Sequence, residues 1–179
     1  LAFPAQNLMI AVATGTGVGV NALLSKRLGE KKFEEANKTA NTAVFLALCN
    51  YLFFLVIGVL FSDMFFKMQT DITEIIEYGK TYLLICTACS FGMFGQFCFE
   101  RLLQATGRTV CTMITQTTGA VINLIFDPIL IFGLFGFPKM GIAGAAVATV
   151  AGQIVAMFFA FFFNQKQNKE ITLSIRQVR

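Results

Sequence analysis

Thr39–Ser62 reads TANTAVFLALCNYLFFLVIGVLFS and contains no charged side chain. Charged residues stand directly on either side of it, Lys38 before and Asp63 after. A helix needs about 17–25 mostly apolar residues to cross the roughly 30 Å of hydrocarbon in a bilayer. This segment is therefore predicted to be a transmembrane helix.

The composition of the whole chain agrees with a lipid environment. Of its 179 residues, 56% are hydrophobic and 13% are charged, with a mean hydropathy of +0.69; soluble domains have about 45–50% and about 25%. The absence of histidine excludes imidazole bases, histidine-ligated metals and the Ser-His-Asp triad. The five cysteines lie in or beside apolar runs, which does not indicate a secreted disulfide framework. We interpret Cys86-x-x-Cys89 as buried side chains rather than a redox motif. The net charge of +4 forms no basic, aromatic-interleaved face, so we expect no nucleic-acid partner.

Four further apolar stretches have similar lengths. The predicted spans are about 1–25, 39–62, 72–100, 109–137 and 140–165, followed by a cytoplasmic tail or linker at 166–179. The fourth is longer than the bilayer requires, so we expect it to tilt or bend at Pro128. The fold class predicted is all-α, a polytopic membrane bundle of five transmembrane helices. Because the first residue is leucine and no charged region precedes the first span, we expect a piece of a longer chain.

Lysine and arginine are distributed unequally between the connections. Residues 25–38, 100–109 and 164–179 hold five, two and four of these cations, whereas the alternate connections hold three. Short loops rich in lysine and arginine stay in the cytoplasm. We therefore expect a multi-pass protein of the cell membrane, with residue 1 on the external side and residue 179 in the cytoplasm.

Asp127 is an acid placed within an apolar run. A carboxylate at membrane depth costs about 2.5–3.5 kcal/mol on insertion scales, so a neighbouring group or ligand should solvate or neutralise it. Gln116, Asn123 and Asp127 are seven and four residues apart, which places them on one helical face. Pro128 lacks an N–H, so the carbonyl of Leu124 loses its usual helical partner beside that face. The sequence predicts a polar stripe that faces protein or water; a helix-end aspartate reaching outward is the simpler alternative.

The last span carries two polar residues and a row of small ones. Thr149 and Gln153 are four residues apart, so both would approach Asn123 and Asp127 if the two spans pack together. Carboxylate, amide and hydroxyl oxygens suit Na+ or, at the carboxylate, a proton. Plain hydrogen bonding between helices is an equally good interpretation of Thr149 and Gln153. Small residues recur every fourth position and predict close helix packing; they are Gly144, Ala148, Gly152 and Ala156.

Several motifs together resemble those of the MATE (multidrug and toxic compound extrusion) family of transporters, in the family's order and over nearly the whole chain. They are Gly15-x-Gly17-x-Gly19-x-Asn21-Ala22, Arg27-Leu28-Gly29-Glu30-Lys31-Lys32, Leu103-Gln104-Ala105-Thr106-Gly107, Asn123-x-x-x-Asp127-Pro128, and Gly141-Ile142-Ala143-Gly144-Ala145-Ala146-Val147-Ala148-Thr149 with Gln153. The glycines at 15, 17 and 19 have no strand or βαβ unit around them, so a nucleotide site is not favoured.

The resemblance implies helices two to six of a twelve-helix secondary transporter with two six-helix lobes. Such proteins are similar to antiporters that expel cationic drugs in exchange for Na+ or H+, with no other cofactor. Asn123 and Asp127 match the family's cation-site pair on the fifth helix, and Thr149 matches a hydroxyl on the sixth. Gln116 and Gln153 are possible supporting residues, and the first helix, with a further acid of this site, is expected outside this chain. The partners implied are small organic cations, the lipid bilayer and the remaining helices of the transporter.

Two other functions stay open at this point. An exporter of lipid-linked or glycan substrates has similar architecture, but it would favour a cavity with arginine and lysine, which the predicted spans lack. A membrane-embedded enzyme such as a prenyltransferase would need clustered acids for Mg2+, and Asp127 is expected to be solitary. Ion-coupled export of cationic compounds is therefore the preferred prediction.

Overall fold

The computed structural model describes residues 2–168, and these form six α-helices and a short 3-10 turn, with no strand among them. The helices are α1 (Phe3–Gly29), α2 (Phe33–Lys67), α3 (Thr73–Ala88), α4 (Phe91–Ala105), α5 (Thr109–Phe132) and α6 (Ile142–Gln167), and the turn is Leu134–Gly136. The predicted all-α class is confirmed. The predicted tail lies outside the described residues, apart from its first turn.

Four of the helices, α1, α2, α5 and α6, are each long and apolar enough to cross a membrane. The helices α3 and α4 reach that length only as a pair, bent by 44° at the break between Ala88 and Phe91. The sequence predicted one unbroken span at 72–100. The break has no proline or glycine to signal it, and Ser90 there donates its hydroxyl to the Thr87 carbonyl at 2.8 Å.

The ends of the helices differ from the predicted span limits where polar residues continue the helix or a turn residue stops it. The first two turns of α2 contain Glu34 and Glu35, whose charges suit a helix N-terminus. The helix α5 stops at Gly133, whose φ of 73° is left-handed and therefore favours glycine. The fourth span thus ends as a helix at Phe132, not at residue 137, and Pro128 lies inside its last turns.

Large apolar side chains lie mostly on the outside of the bundle. The helix α2 exposes Phe45, Phe53 and Leu60, each more than half accessible, as expected for residues that meet lipid acyl chains. Small residues and a few large ones fill the interior, where Leu24, Ala36, Ala40 and Leu102 pack α1, α2 and α4 together. This distribution is the reverse of a water-soluble helical protein.

The helices α5 and α6 form a tightly closed hairpin. A Cβ at Gly152 would lie 2.7 Å from the Gly119 carbonyl oxygen, and one at Gly144 would lie 2.6 Å from that of Leu130. The backbone N–H of Met140 donates to the Leu130 carbonyl at 3.0 Å, and that of Gly141 donates to the Ile131 carbonyl at 3.3 Å. The predicted packing role of the small-residue row is confirmed, because all four members are buried.

Candidate functional site

Asp127, Asn123 and Thr149 lie together where α5 packs on α6. The Asn123 amide group is 3.1 Å from the Thr149 hydroxyl oxygen and, on its other side, 3.1 Å from Asp127 Oδ2. The Thr149 hydroxyl is also 2.9 Å from the Ala145 carbonyl oxygen. The sequence placed Asn123 and Asp127 on one face and Thr149 opposite, and the structure brings the three side chains into one chain of contacts.

One orientation of the Asn123 amide fits this chain of contacts. In it, the amide nitrogen donates to Asp127 Oδ2 at 3.1 Å. The amide oxygen accepts from the Thr149 hydroxyl at 3.1 Å and from the Thr149 backbone N–H at 3.2 Å. The opposite orientation would turn the amide oxygen toward the carboxylate and the amide nitrogen toward the Thr149 N–H, so that acceptor meets acceptor and donor meets donor.

One carboxylate oxygen of this site has no partner. Asp127 Oδ1 is buried, and no hydrogen-bond donor reaches it within residues 2–168. A buried acceptor without a donor is costly, and exceptions of this kind call for a ligand or an ordered water. The oxygens beside it belong to one amide and one hydroxyl, and the described residues contain no cluster of three acidic, histidine or cysteine side chains.

Glu100 is a second carboxylate within the bundle. The sequence placed it in a cytoplasmic connection beside Arg101, but it lies inside α4 and is only 3% exposed. Its Oε1 accepts from the Gln96 amide at 2.9 Å and from the Thr115 hydroxyl at 3.0 Å, and its Oε2 accepts from the Gln116 amide at 2.9 Å. The expectation that Asp127 is the solitary acid within the spans is wrong.

Gln116, predicted as a supporting residue of Asp127, is a hydrogen-bond donor to Glu100 instead. The sequence did contain a signal for this second cluster. Gln96 and Glu100 are four residues apart on α4, while Thr112, Thr115 and Gln116 fall on one side of α5. Polar residues at helical spacing on two neighbouring spans indicate a buried polar contact, even where the acid stands next to an arginine.

A cavity of about 410 Å³ lies between the two carboxylate clusters. Its polar lining comes from α4, α5 and α6 and comprises Gln96, Glu100, Gln116, Asn123, Thr149 and Gln153. Phe97 supplies an aromatic side chain to the same wall. Gln153 therefore lies in the same cavity as Asn123 and Thr149, as its spacing from Thr149 predicted. Asp127 does not line the cavity directly, and Asn123 stands between the two.

Arg101 is a cation inside α4, which corrects the expectation that the spans contain none. Its side chain points away from Glu100 toward α1, where a Cβ at Gly17 would lie 2.9 Å from Arg101 Cγ. Its guanidinium donates to the Gln104 side-chain oxygen at 2.7 Å. It lines a separate, smaller cavity with Thr16 and Asn50.

Comparison with known proteins assigns the family. A family model described as MatE matches residues 1–129. The chain is a member of the MATE family. Relatives of this MATE chain include the probable multidrug resistance protein YoeA of Bacillus subtilis (strain 168), 28% identical over 92% of this chain and 36% of that protein. The multidrug export protein MepA of Staphylococcus haemolyticus is 27% identical over 100% of this chain and 39% of its own length. The chain thus spans about two-fifths of the length of these relatives.

Solved structures share the fold. An inward-facing multidrug resistance MATE transporter superposes with a TM-score of 0.92 at 24% identity, over 99% of this chain and 40% of that one. Another relative carries a different name. It is the FAD transporter of Shewanella oneidensis, 29% identical over 87% of this chain and 34% of that protein. The predicted MATE architecture is confirmed, and the family consists of integral membrane proteins.

Proposed function

We propose that this chain forms part of an antiporter that exports cationic drugs or toxic organic compounds and is driven by Na+ or H+. The observation that carries the proposal is the buried, unpartnered Oδ1 of Asp127 beside Asn123 and Thr149. Carboxylate, amide and hydroxyl oxygens are hard donors, which suit a monovalent alkali cation, and a carboxylate also binds a proton. The cation is cargo of the exchange, and no other cofactor is part of the proposal.

Loading of this site changes the contact between Asp127 and Asn123 in the proposed mechanism. Without a cation, the Asn123 amide nitrogen donates to Asp127 Oδ2 and holds the carboxylate, while the amide oxygen accepts from Thr149. A proton or Na+ at the carboxylate competes with this amide hydrogen bond. The contact across α5 and α6 therefore differs between the two states, so cation binding favours one conformation over the other. If drug binding favours the other conformation, drug and cation lower each other's affinity reciprocally.

The cavity chemistry supports organic cations as substrates. Glu100 and Phe97 line it, and a carboxylate with an aromatic face attracts positive charge. Relatives of this chain are named as multidrug export or resistance proteins. Export of lipid-linked or glycan substrates would favour cations in the cavity, and Arg101 lies elsewhere. The proposal is therefore transport rather than a reaction on a membrane substrate.

The proposed orientation follows the positive charge. The turn between α1 and α2 carries Lys31 and Lys32, which favours a cytoplasmic position for this turn and an external one for residue 1. A cysteine-free full-length transporter with a single cysteine at Lys32 or at Thr70 tests this. A membrane-impermeant thiol reagent added to intact cells should label position 70 and leave position 32 unlabelled. Labelling of position 32 would reverse the orientation.

The ion-coupling proposal is tested by Asp127→Asn in the full-length transporter, since asparagine keeps the size and removes the charge. Efflux of ethidium, an aromatic organic cation, is measured from vesicles under an imposed Na+ gradient and, separately, a proton gradient. We expect Asp127→Asn to insert but to lose gradient-driven efflux. The matched control is Asp71→Asn, because Asp71 is exposed between α2 and α3. Wild-type, gradient-dependent efflux by Asp127→Asn would refute the proposal, and the gradient that drives the wild type identifies the ion.

A further inference from the structure

We infer that Glu100 is a second proton-binding site of the transporter, separate from Asp127 and built so that its side chain is accommodated both with and without a proton. The inference rests on the proposed ion-coupled transport for its use in the cell. The contacts around Glu100 can hold both forms of the side chain, and proton binding is measurable without a transported substrate.

The surroundings of Glu100 accommodate its ionised form. Three donors from two helices point at the carboxylate: the Gln96 and Gln116 amides at 2.9 Å and the Thr115 hydroxyl at 3.0 Å. A carboxylate accepts hydrogen bonds only, and three donors suit it well. Within residues 2–168, no lysine or arginine nitrogen forms an ion pair with Glu100. The negative charge is thus held by neutral groups inside the membrane, where a charge is costly.

The same surroundings also accommodate the protonated form of Glu100. The Thr115 oxygen is 3.0 Å from Glu100 Oε1 and 2.8 Å from the Thr112 carbonyl oxygen. A single hydroxyl proton serves one of these two acceptors at a time. With Glu100 ionised, Thr115 donates to Oε1. With Glu100 protonated at Oε1, the acid donates to the Thr115 oxygen, and Thr115 donates to the Thr112 carbonyl. The change requires a hydroxyl rotation and no movement of heavy atoms.

Glu100 is accessible from a cavity, and the charged groups near it are few. Glu100 lines the cavity of about 410 Å³. This cavity is large enough to hold several waters, and a proton can reach the carboxylate through them. The neighbours from α5 are Thr112, Thr115 and Gln116, and those from α6 across the cavity are Thr149 and Gln153. None of these side chains is an acid or a base. Arg101 and the α1 and α2 residues Thr16 and Asn50 lie on the other side of α4. No neighbouring side chain therefore changes its charge together with Glu100.

The test is infrared spectroscopy of the full-length transporter in lipid vesicles, titrated with acid in the absence of substrate. A protonated carboxyl group has a C=O stretching band distinct from that of a carboxylate. Every carboxyl group that binds a proton contributes to this band on acidification, so Glu100 is identified by difference between variants. We expect one component of the band to be lost in Glu100→Gln and to be kept in Asp127→Asn. The matched control, Glu77→Gln, replaces an exposed glutamate and should also keep the band. Thr115→Val should shift its frequency, because the protonated acid loses its acceptor.

The outcomes separate this inference from the proposed function. Identical spectra of wild type and Glu100→Gln across the titration would overturn the inference and leave the role of Asp127 untouched. Conversely, gradient-driven efflux by Asp127→Asn would refute the Asp127 mechanism without affecting the Glu100 band. If Glu100→Gln fails to insert, Glu100→Asp and Thr115→Val decide the question, because a band unmoved in both does not belong to Glu100.

Discussion

The two carboxylates within the bundle are held in different ways. Glu100 accepts three hydrogen bonds and is almost completely buried, whereas Asp127 has one contact with Asn123 and one buried oxygen without a partner. A buried polar group with all partners present stabilises the fold, and removal of the group leaves its donors unsatisfied. A group that lacks a partner stabilises little and is ready for a ligand. We therefore expect Glu100 to matter more for stability and Asp127 more for cation binding.

The largest effect is expected from Gly152→Leu, which would separate the two carboxylate sites. The new side chain has no space beside the Gly119 carbonyl, so α5 and α6 must move apart and Asn123 loses Thr149. Overpacking of this kind costs about 1–3 kcal/mol or more. Gradient-driven efflux should fall at least about tenfold, which corresponds to 1.4 kcal/mol, while the Glu100 infrared band remains.

The control for Gly152→Leu is Gly29→Leu, because a Cβ at Gly29 meets no atom within 4 Å. This variant should insert and transport as the wild type does. Loss of the Glu100 band in Gly152→Leu would show that the two sites depend on one packing contact and are not separable.

The second prediction compares Glu100→Ala with Asp127→Ala by the free energy of unfolding in mixed detergent micelles. Glu100 is buried, and Glu100→Ala removes its hydrogen bonds to the half-buried Gln96, the exposed Gln116 and the buried Thr115. Hydrogen bonds to a charged group contribute about 1.5–3 kcal/mol. We expect a loss of at least about 2 kcal/mol for Glu100→Ala and less than about 1 kcal/mol for Asp127→Ala. A larger loss for Asp127→Ala would contradict the distinction drawn above.

The third prediction concerns the neutral residues of the Asp127 site. Asn123→Ala and Thr149→Val each remove one hydrogen-bonding partner worth about 1 kcal/mol, so the apparent affinity for the coupling ion should fall roughly fivefold. That loss is smaller than the loss of efflux in Asp127→Asn. Thr149→Ser, which keeps the hydroxyl, should restore the affinity measured from the ion dependence of efflux. An unchanged affinity in Thr149→Val would remove Thr149 from the cation site.

The smallest effect is expected at Glu30, a carboxylate exposed to water. It serves as the reference for Glu100 and Asp127, the two carboxylates within the bundle. The Lys32 ammonium group hydrogen-bonds Glu30 and, together with the positive charges of Lys26 and Arg27, lowers the pKa of this exposed carboxyl. A lowered folded-state pKa stabilises the fold above the ordinary value and loses this stabilisation as pH falls through the lowered pKa. Glu30→Gln should therefore lower Tm slightly at neutral pH and not at all in strong acid.

High salt should remove the effect of Glu30→Gln, since exposed ion pairs are screened and contribute little. Glu77→Gln serves as the matched change of an exposed glutamate. A Tm shift as large as that of Glu100→Ala would show that the ion pair in this turn is not a simple surface contact.

The sequence predicted one of the two carboxylate sites and missed the other for a physical reason. Asn123 and Asp127 are four residues apart on one helix, so helical periodicity is sufficient to place them together. Glu100 needs α4 and α5 to pack at a specific height, and that height depends on the bend between α3 and α4. No residue type marks this bend, and an acid beside Arg101 at the end of an apolar run is typical of a loop. The family motifs also predicted the Thr149 contact.

The closed turn between α5 and α6 has a consequence for the biogenesis of the protein. Asn123 and Thr149 are 26 residues apart, and the backbone of Met140 and Gly141 ties the two helices at their shared end. A polar group that enters lipid alone costs several kcal/mol. Thr115 and Gln116 of α5 have their partner on α4, and Asn123 has its partner on α6. Because these helices are adjacent in the sequence, both contacts can form as neighbouring segments enter the bilayer during synthesis. The polar cavity is thus assembled from local pairs, before distant parts of the chain are needed to shield it.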